Sequence, residues 1–94
     1  MSTPSRGMTV CGRLIPPSVV AHVEAYAQRG DVELPLVSRA AIAGLMRAGW
    51  TREEAVRDAT HHRIADRVLQ RLKRQGKIVF DRKFRTWRVV KTAA

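Results

Sequence analysis

Cys11 is the only cysteine of this 94-residue chain. One thiol excludes an internal disulfide framework and a zinc site built from cysteines. Acids are also scarce, 8 against 18 Lys and Arg, and no two stand out as an acid–base couple. There is no Gly-rich phosphate loop, no Ser-His-Asp set and no Cys-His set. His61 and His62 have no third or fourth partner at ligand spacing, so no metal, cofactor or catalytic activity is expected. No apolar run approaches the roughly 18 residues of a membrane span, so no membrane partner is expected. The opening stretch, MSTPSRGMTV, lacks an apolar signal-peptide core, and a cytoplasmic location is expected. No internal repeat or low-complexity tract occurs.

Apolar residues make up 45% of the chain, enough for one modest core and too many for a disordered polycation. The formal net charge is +10, and it is unevenly placed. Residues 1–60 hold seven Arg and six acids, a net of +1. Residues 61–94 hold seven Arg, four Lys and two acids, a net of +9. Such a density is costly self-repulsion without a counter-charge and points to an anionic partner. Arg predominates over Lys, and its planar fork fits phosphates and the guanine edge.

Residues 1–12 have no period and read as a flexible arm, with a single domain over 13–92. Ser18 can cap a first helix over about 18–29, whose Val19, Val20, Val23, Tyr26 and Ala27 recur at helical spacing and which Gly30 stops. Asp31–Val37 reads as a connector or short edge strand because of Pro35. Ser38 can cap a second helix carrying Ala41, Ile42, Leu45 and Met46 inward, ended by Gly49. Thr51-Arg52-Glu53-Glu54 is a capping box, with Trp50 as its hydrophobic staple. It opens a short helix over about 52–59 with Ala55, Val56 and Ala59 facing in. Thr60 can cap a long helix in which Ile64, Ala65, Val68, Leu69 and Leu72 share one face and which Gly76 closes. Ile78-Val79-Phe80 and Trp87-Arg88-Val89-Val90 are β-type runs joined by a basic loop, a hairpin signature. Trp87 is expected in the core, over the long helix.

Opposite the apolar face of the long helix lies a second stripe: Arg63, Asp66, Arg67, Gln70 and Arg74. Arg reaches guanine O6 and N7 bidentately, and Gln reaches adenine N6 and N7. Asp66 either accepts from a cytosine amino group or pairs with Arg63 or Gln70. Arg71 on the same helix and His62 at its start are counted with this nucleic-acid-binding face. No aromatic pair is expected on one strand face to stack bases, which argues against RNA.

The order of these elements resembles the winged helix-turn-helix family, over about Ser38 to Lys91. The resemblance is most specific from Arg63 to Val90, where R-I-A-D-R-V-L-Q-R-L-K-R-Q-G-K-I-V-F leads through a basic loop to T-W-R-V-V. It implies a mainly α fold with a small β-hairpin, the helix at 18–29 being additional to the family's minimal unit. It implies a double-stranded DNA-binding protein, such as a small transcriptional regulator or mobile-element accessory factor. Helix 60–75 would enter the major groove, and the wing over 78–90 would lie on the backbone or minor groove through Arg82, Lys83 and Arg85. Thr51 and Arg52, at a helix start, would meet a phosphate. The turn at Ala59-Thr60-His61 departs from the family in lacking glycine. The alternative is a protein-interaction module or inhibitor that docks an acidic surface through Phe84 or the helix at 18–29. That helix either packs on its own domain or forms a two-fold interface, so monomer and homodimer both stay open.

Overall fold

The computed structural model describes residues 8–90. Its elements are β1 (Met8–Val10), β2 (Arg13–Ile15), α1 (Pro17–Ala27), α2 (Leu34–Arg47), α3 (Arg52–Val56), a 3-10 turn (Arg57–Ala59), α4 (Thr60–Arg74), β3 (Ile78–Asp81) and β4 (Thr86–Val89). The fold is mainly helical, with two separate antiparallel hairpins.

The amphipathic pattern of α4 organises the core. Ile64, Ala65, Val68, Leu69 and Leu72 are all buried, as its spacing requires. Against them pack Val19, Val20, Val23 and Ala27 of α1, and Val37, Ala41 and Leu45 of α2. Each such aliphatic side chain contributes about 1.5–3 kcal/mol by leaving water. α1 touches both α2 and α4, so the apolar face of the N-terminal helix is covered by its own domain. Gly44 lets α1 and α2 approach closely: a Cβ there would stand 3.3 Å from both His22 Cδ2 and Val19 Cγ1. Tyr26, Ile42 and Trp50 are half-buried at the core's edge, whereas Met46 is exposed.

Several boundaries differ from expectation. Residues 1–7 lie outside the described residues, but 8–12 form a hairpin and not an arm. Met8 and Val10 alternate with exposed Thr9 and bury their side chains, pairing with Ile15 and Arg13. Cys11 and Gly12 turn the chain at positive φ, the geometry of a two-residue hairpin loop. α1 ends at Ala27, before Gly30, with the amides of Gln28 and Arg29 bonded to Ala25 and Tyr26 carbonyls. α2 begins at Leu34, four residues before Ser38. Pro35 sits in its first turn, where the missing N–H has no helical partner to lose. Ser38 is therefore no cap but a buried interior residue. Only Val32 keeps the extended role, pairing with Trp87 through N···O bonds of 2.9 and 2.7 Å.

The capping box forms: Thr51 Oγ1 accepts from the Glu54 amide at 3.1 Å, and the Thr51 amide donates to Glu54 Oε1 at 3.0 Å. The helix it opens is shorter than expected. Ala55 is buried, but Val56 and Ala59 face solvent because Asp58 and Ala59 turn left-handed at φ 55° and 57°. Thr60 does not cap α4 from outside. It is the first helical residue, buried, and its hydroxyl donates to the Arg57 carbonyl at 2.6 Å.

Candidate nucleic-acid interface

The outward face of α4 presents Arg63, Asp66, Arg67 and Arg74 to solvent, with Gln70 half-buried. The apolar residues opposite are anchored in the core, so this face cannot rotate inward. Three of its cations also have intramolecular partners. Arg63 Nε donates to the Asp58 carbonyl at 3.3 Å, so Arg63 stays on its own helix start and is not paired with Asp66. Arg67 donates to the Thr9 carbonyl of β1, which ties the middle of the stripe to the N-terminal hairpin. Arg71 lies toward α1, 3.6 Å from Glu24 Oε1, and is held at the edge of the stripe. Arg74 has no hydrogen-bond or ion-pair partner among the described residues, and Lys73 beside it is likewise unpaired and exposed.

The two histidines at the head of α4 are placed differently. His62 is exposed, and its Nδ1 lies 2.7 Å from Ser38 Oγ, a bond from α4 to α2 that orients the ring. His61 Nδ1 is buried with no partner among the described residues. Burial, then the adjacent His62, pushes the His61 imidazole below its ordinary range. A neutral His61 fits a site that holds no counter-charge for it.

The start of α3 is partly occupied by its own capping box. The Thr51 amide, donating to Glu54 Oε1, and then the neighbouring Thr51 hydroxyl hold the Glu54 carboxylate below the ordinary range. Thr51 is thus engaged and its helix start already carries a negative charge, while Arg52 remains exposed. Nearby, the Arg13 guanidinium lies 5.4 Å from the Trp50 ring centroid and donates to the Glu54 carbonyl at 3.0 Å. Arg13 thereby connects the N-terminal hairpin to α3.

The C-terminal hairpin carries Arg82, Lys83 and Arg85 at its tip, all exposed. The tip is ordered by Asp81. Its Oδ1 accepts from the backbone amides of Lys83 and Phe84, and its Oδ2 lies 3.1 Å from Arg88 Nε. Arg85 closes the loop at φ 51°, left-handed without being glycine. Phe84 is 59% exposed, with the cations of Lys83 and Arg88 at 5.5 and 5.6 Å from its ring centroid.

No protein-family model, curated protein or solved structure matches the chain. Among the described residues, no cluster of His, Cys, Asp and Glu could hold a metal ion, and no helix is long and apolar enough to cross a membrane.

The hairpin register sets two aromatic rings side by side. Phe80 pairs with Trp87, and their rings lie on one face with centroids 5.0 Å apart. Four loop residues bring positions 80 and 87 opposite each other, and the pair packs inward, with Trp87 buried and Phe80 half-buried against the core. With Phe84, Leu34 and Pro35, these rings line an open groove of about 690 Å³ between the hairpin, α4 and the start of α2. Glu33, Asp66, Gln70, Lys73 and Arg85 supply its polar margin. Glu33, Leu34, Lys73 and Phe80 were not singled out from sequence. For Phe80 the usable signal was its distance from Trp87 across a short loop.

Proposed function

We propose that the protein binds double-stranded DNA as a winged helix. The exposed face of α4 enters the major groove, and β3–β4 acts as a wing on the backbone or minor groove. One observation carries this reading: Arg63, Arg67, Lys73 and Arg74 of α4 and Arg82, Lys83 and Arg85 of the C-terminal hairpin are all exposed, while Ile64, Val68, Leu69 and Leu72 of the helix and Ile78 and Trp87 of the hairpin are buried. The Val32–Trp87 bridge, which adds a short third chain to the hairpin beside a three-helix core, is in keeping with that architecture. Arg74 and Gln70 carry base contacts, since Arg63, Arg67 and Arg71 have structural partners to give up. Arg82, Lys83 and Arg85 carry phosphate contacts.

Fluorescence anisotropy with labelled duplexes tests this. Binding weakens with salt, each neutralised phosphate adding about 0.9 to the log–log slope. Arg74→Ala reduces discrimination between a selected duplex and its scrambled counterpart. Arg82→Ala weakens both alike and lowers the slope by about 1. Absence of duplex binding at low salt refutes the reading.

A further inference from the structure

The groove between α4 and the hairpin is not explained by duplex binding. A duplex offers base edges in its grooves and hides the base faces in the stack. The groove offers the opposite complement: aromatic surface from Phe80, Phe84 and Trp87, with hydrogen-bonding groups along one wall. Its volume, about 690 Å³, is that of a small-ligand site. Asp66 and Gln70 of α4 provide a carboxylate and an amide, while Lys73 and Arg85 place cations on the margin. A flat π-system with an amino-bearing edge, flanked by phosphates, satisfies all of these together. An acidic peptide would satisfy the cations and the apolar surface, but would set its own charge against Asp66 and Glu33.

We infer that this groove holds one unpaired nucleobase of a single-stranded segment. The base stacks on Phe84, directs its edge to Gln70 and Asp66, and leaves its phosphates to Lys73 and Arg85. Aromatic stacking beside basic side chains is the general means of holding single strands. Asp66 can only accept, so it favours a base with an exocyclic amine, and cytosine N4 is a suitable donor to a carboxylate. Cytosine is therefore preferred over thymine. The inference shares Gln70 and Arg85 with the duplex reading, and the two are told apart by their ligands and by Phe84, which only the single strand uses.

The experiment measures anisotropy of labelled oligo-dC, oligo-dT and a random duplex with the full chain and its variants. Phe84 is exposed, so Phe84→Ala keeps the fold. It weakens oligo-dC binding about 5- to 150-fold and leaves the duplex within about twofold. Gln70→Ala weakens oligo-dC in the same sense. Asp66→Asn narrows the preference for oligo-dC over oligo-dT. In a Trp50→Phe background Trp87 is the remaining indole, and its fluorescence is quenched by oligo-dC but not by the duplex. Unchanged oligo-dC affinity in both Phe84→Ala and Gln70→Ala overturns the inference, as does an unaltered Trp87 signal. A phenylalanine-containing acidic peptide whose binding depends on Phe84 when that of oligo-dC does not would assign the groove to protein and also overturn it. Loss of duplex binding alone, with the oligo-dC results as expected, refutes the duplex reading and leaves this one intact.

Discussion

Ala59 offers a test in which one chemical change has opposite signs at two places. It immediately precedes α4 at φ 57° and ψ 33°, a left-handed residue with a Cβ, and its side chain is exposed. Holding an L-residue there costs about 1–2 kcal/mol. Glycine removes that cost but returns about 0.4–1 kcal/mol through the greater freedom of the unfolded chain. Ala59→Gly therefore stabilises the domain by about 0.5–1 kcal/mol, raising Tm by about 2–8 °C for a domain of this size. The control is Ala43→Gly, at an exposed right-handed position inside α2. There glycine has no strain to relieve and costs about 1 kcal/mol, lowering Tm by about 4–8 °C. Circular dichroism melts at one protein concentration resolve both shifts. An Ala59→Gly protein that melts below the parent, as the Ala43 variant does, refutes the left-handed turn.

Leu72→Ala, at a fully buried position of α4, costs about 2–5 kcal/mol, a large part of the 5–15 kcal/mol typical of a domain, and lowers the denaturant midpoint accordingly. Thr51→Ala removes the hydroxyl half of the capping box and costs about 0.5–2 kcal/mol, read from the same titration. Acidification lowers stability in two stages. The folded state holds His61 below its ordinary value, so as pH falls through about 6.5 the unfolded chain takes up a proton first, and stability declines until the folded pKa is passed. Glu54 is also held low, so its contribution is present at neutral pH and is lost as pH falls below the ordinary carboxylate range through its folded pKa. Thermal melts of His61→Gln across pH lack the first stage and keep the second.

Residues whose role depends on local period were legible. The five buried positions of α4 and the Thr51–Glu54 capping box follow from spacing alone. Gly49 and Gly76 mark helix ends at positive φ, as their positions after apolar periods suggest. What failed depended on distant partners. Met8 and Val10 looked like part of an arm because a three-residue strand has too little sequence to show alternation, and Ile15 is its reason to form. Pro35 suits a connector or short edge strand, and the same missing N–H also suits a first helical turn. In the candidate interface, charge picks out α4 and the C-terminal hairpin but not the destinations of individual guanidiniums. Arg67 reaches a carbonyl 58 positions away, and no helical wheel contains that bond. The Phe80–Trp87 pair, by contrast, is local, set by the register of one hairpin across a short loop.

The carboxylate of Asp81 has a kinetic consequence. By accepting two loop amides and pairing with Arg88, it orders the hairpin tip in the isolated protein. The conformational entropy of those loop residues, about 1–2 kcal/mol each, is thus expended during folding and not during encounter. Under the proposed duplex reading, a tip already in shape would dock without a slow ordering step, and differences among duplexes would then lie in how long each stays. Replacing Asp81 transfers that ordering to the bound state, so arrival slows even where every cation of the tip is retained.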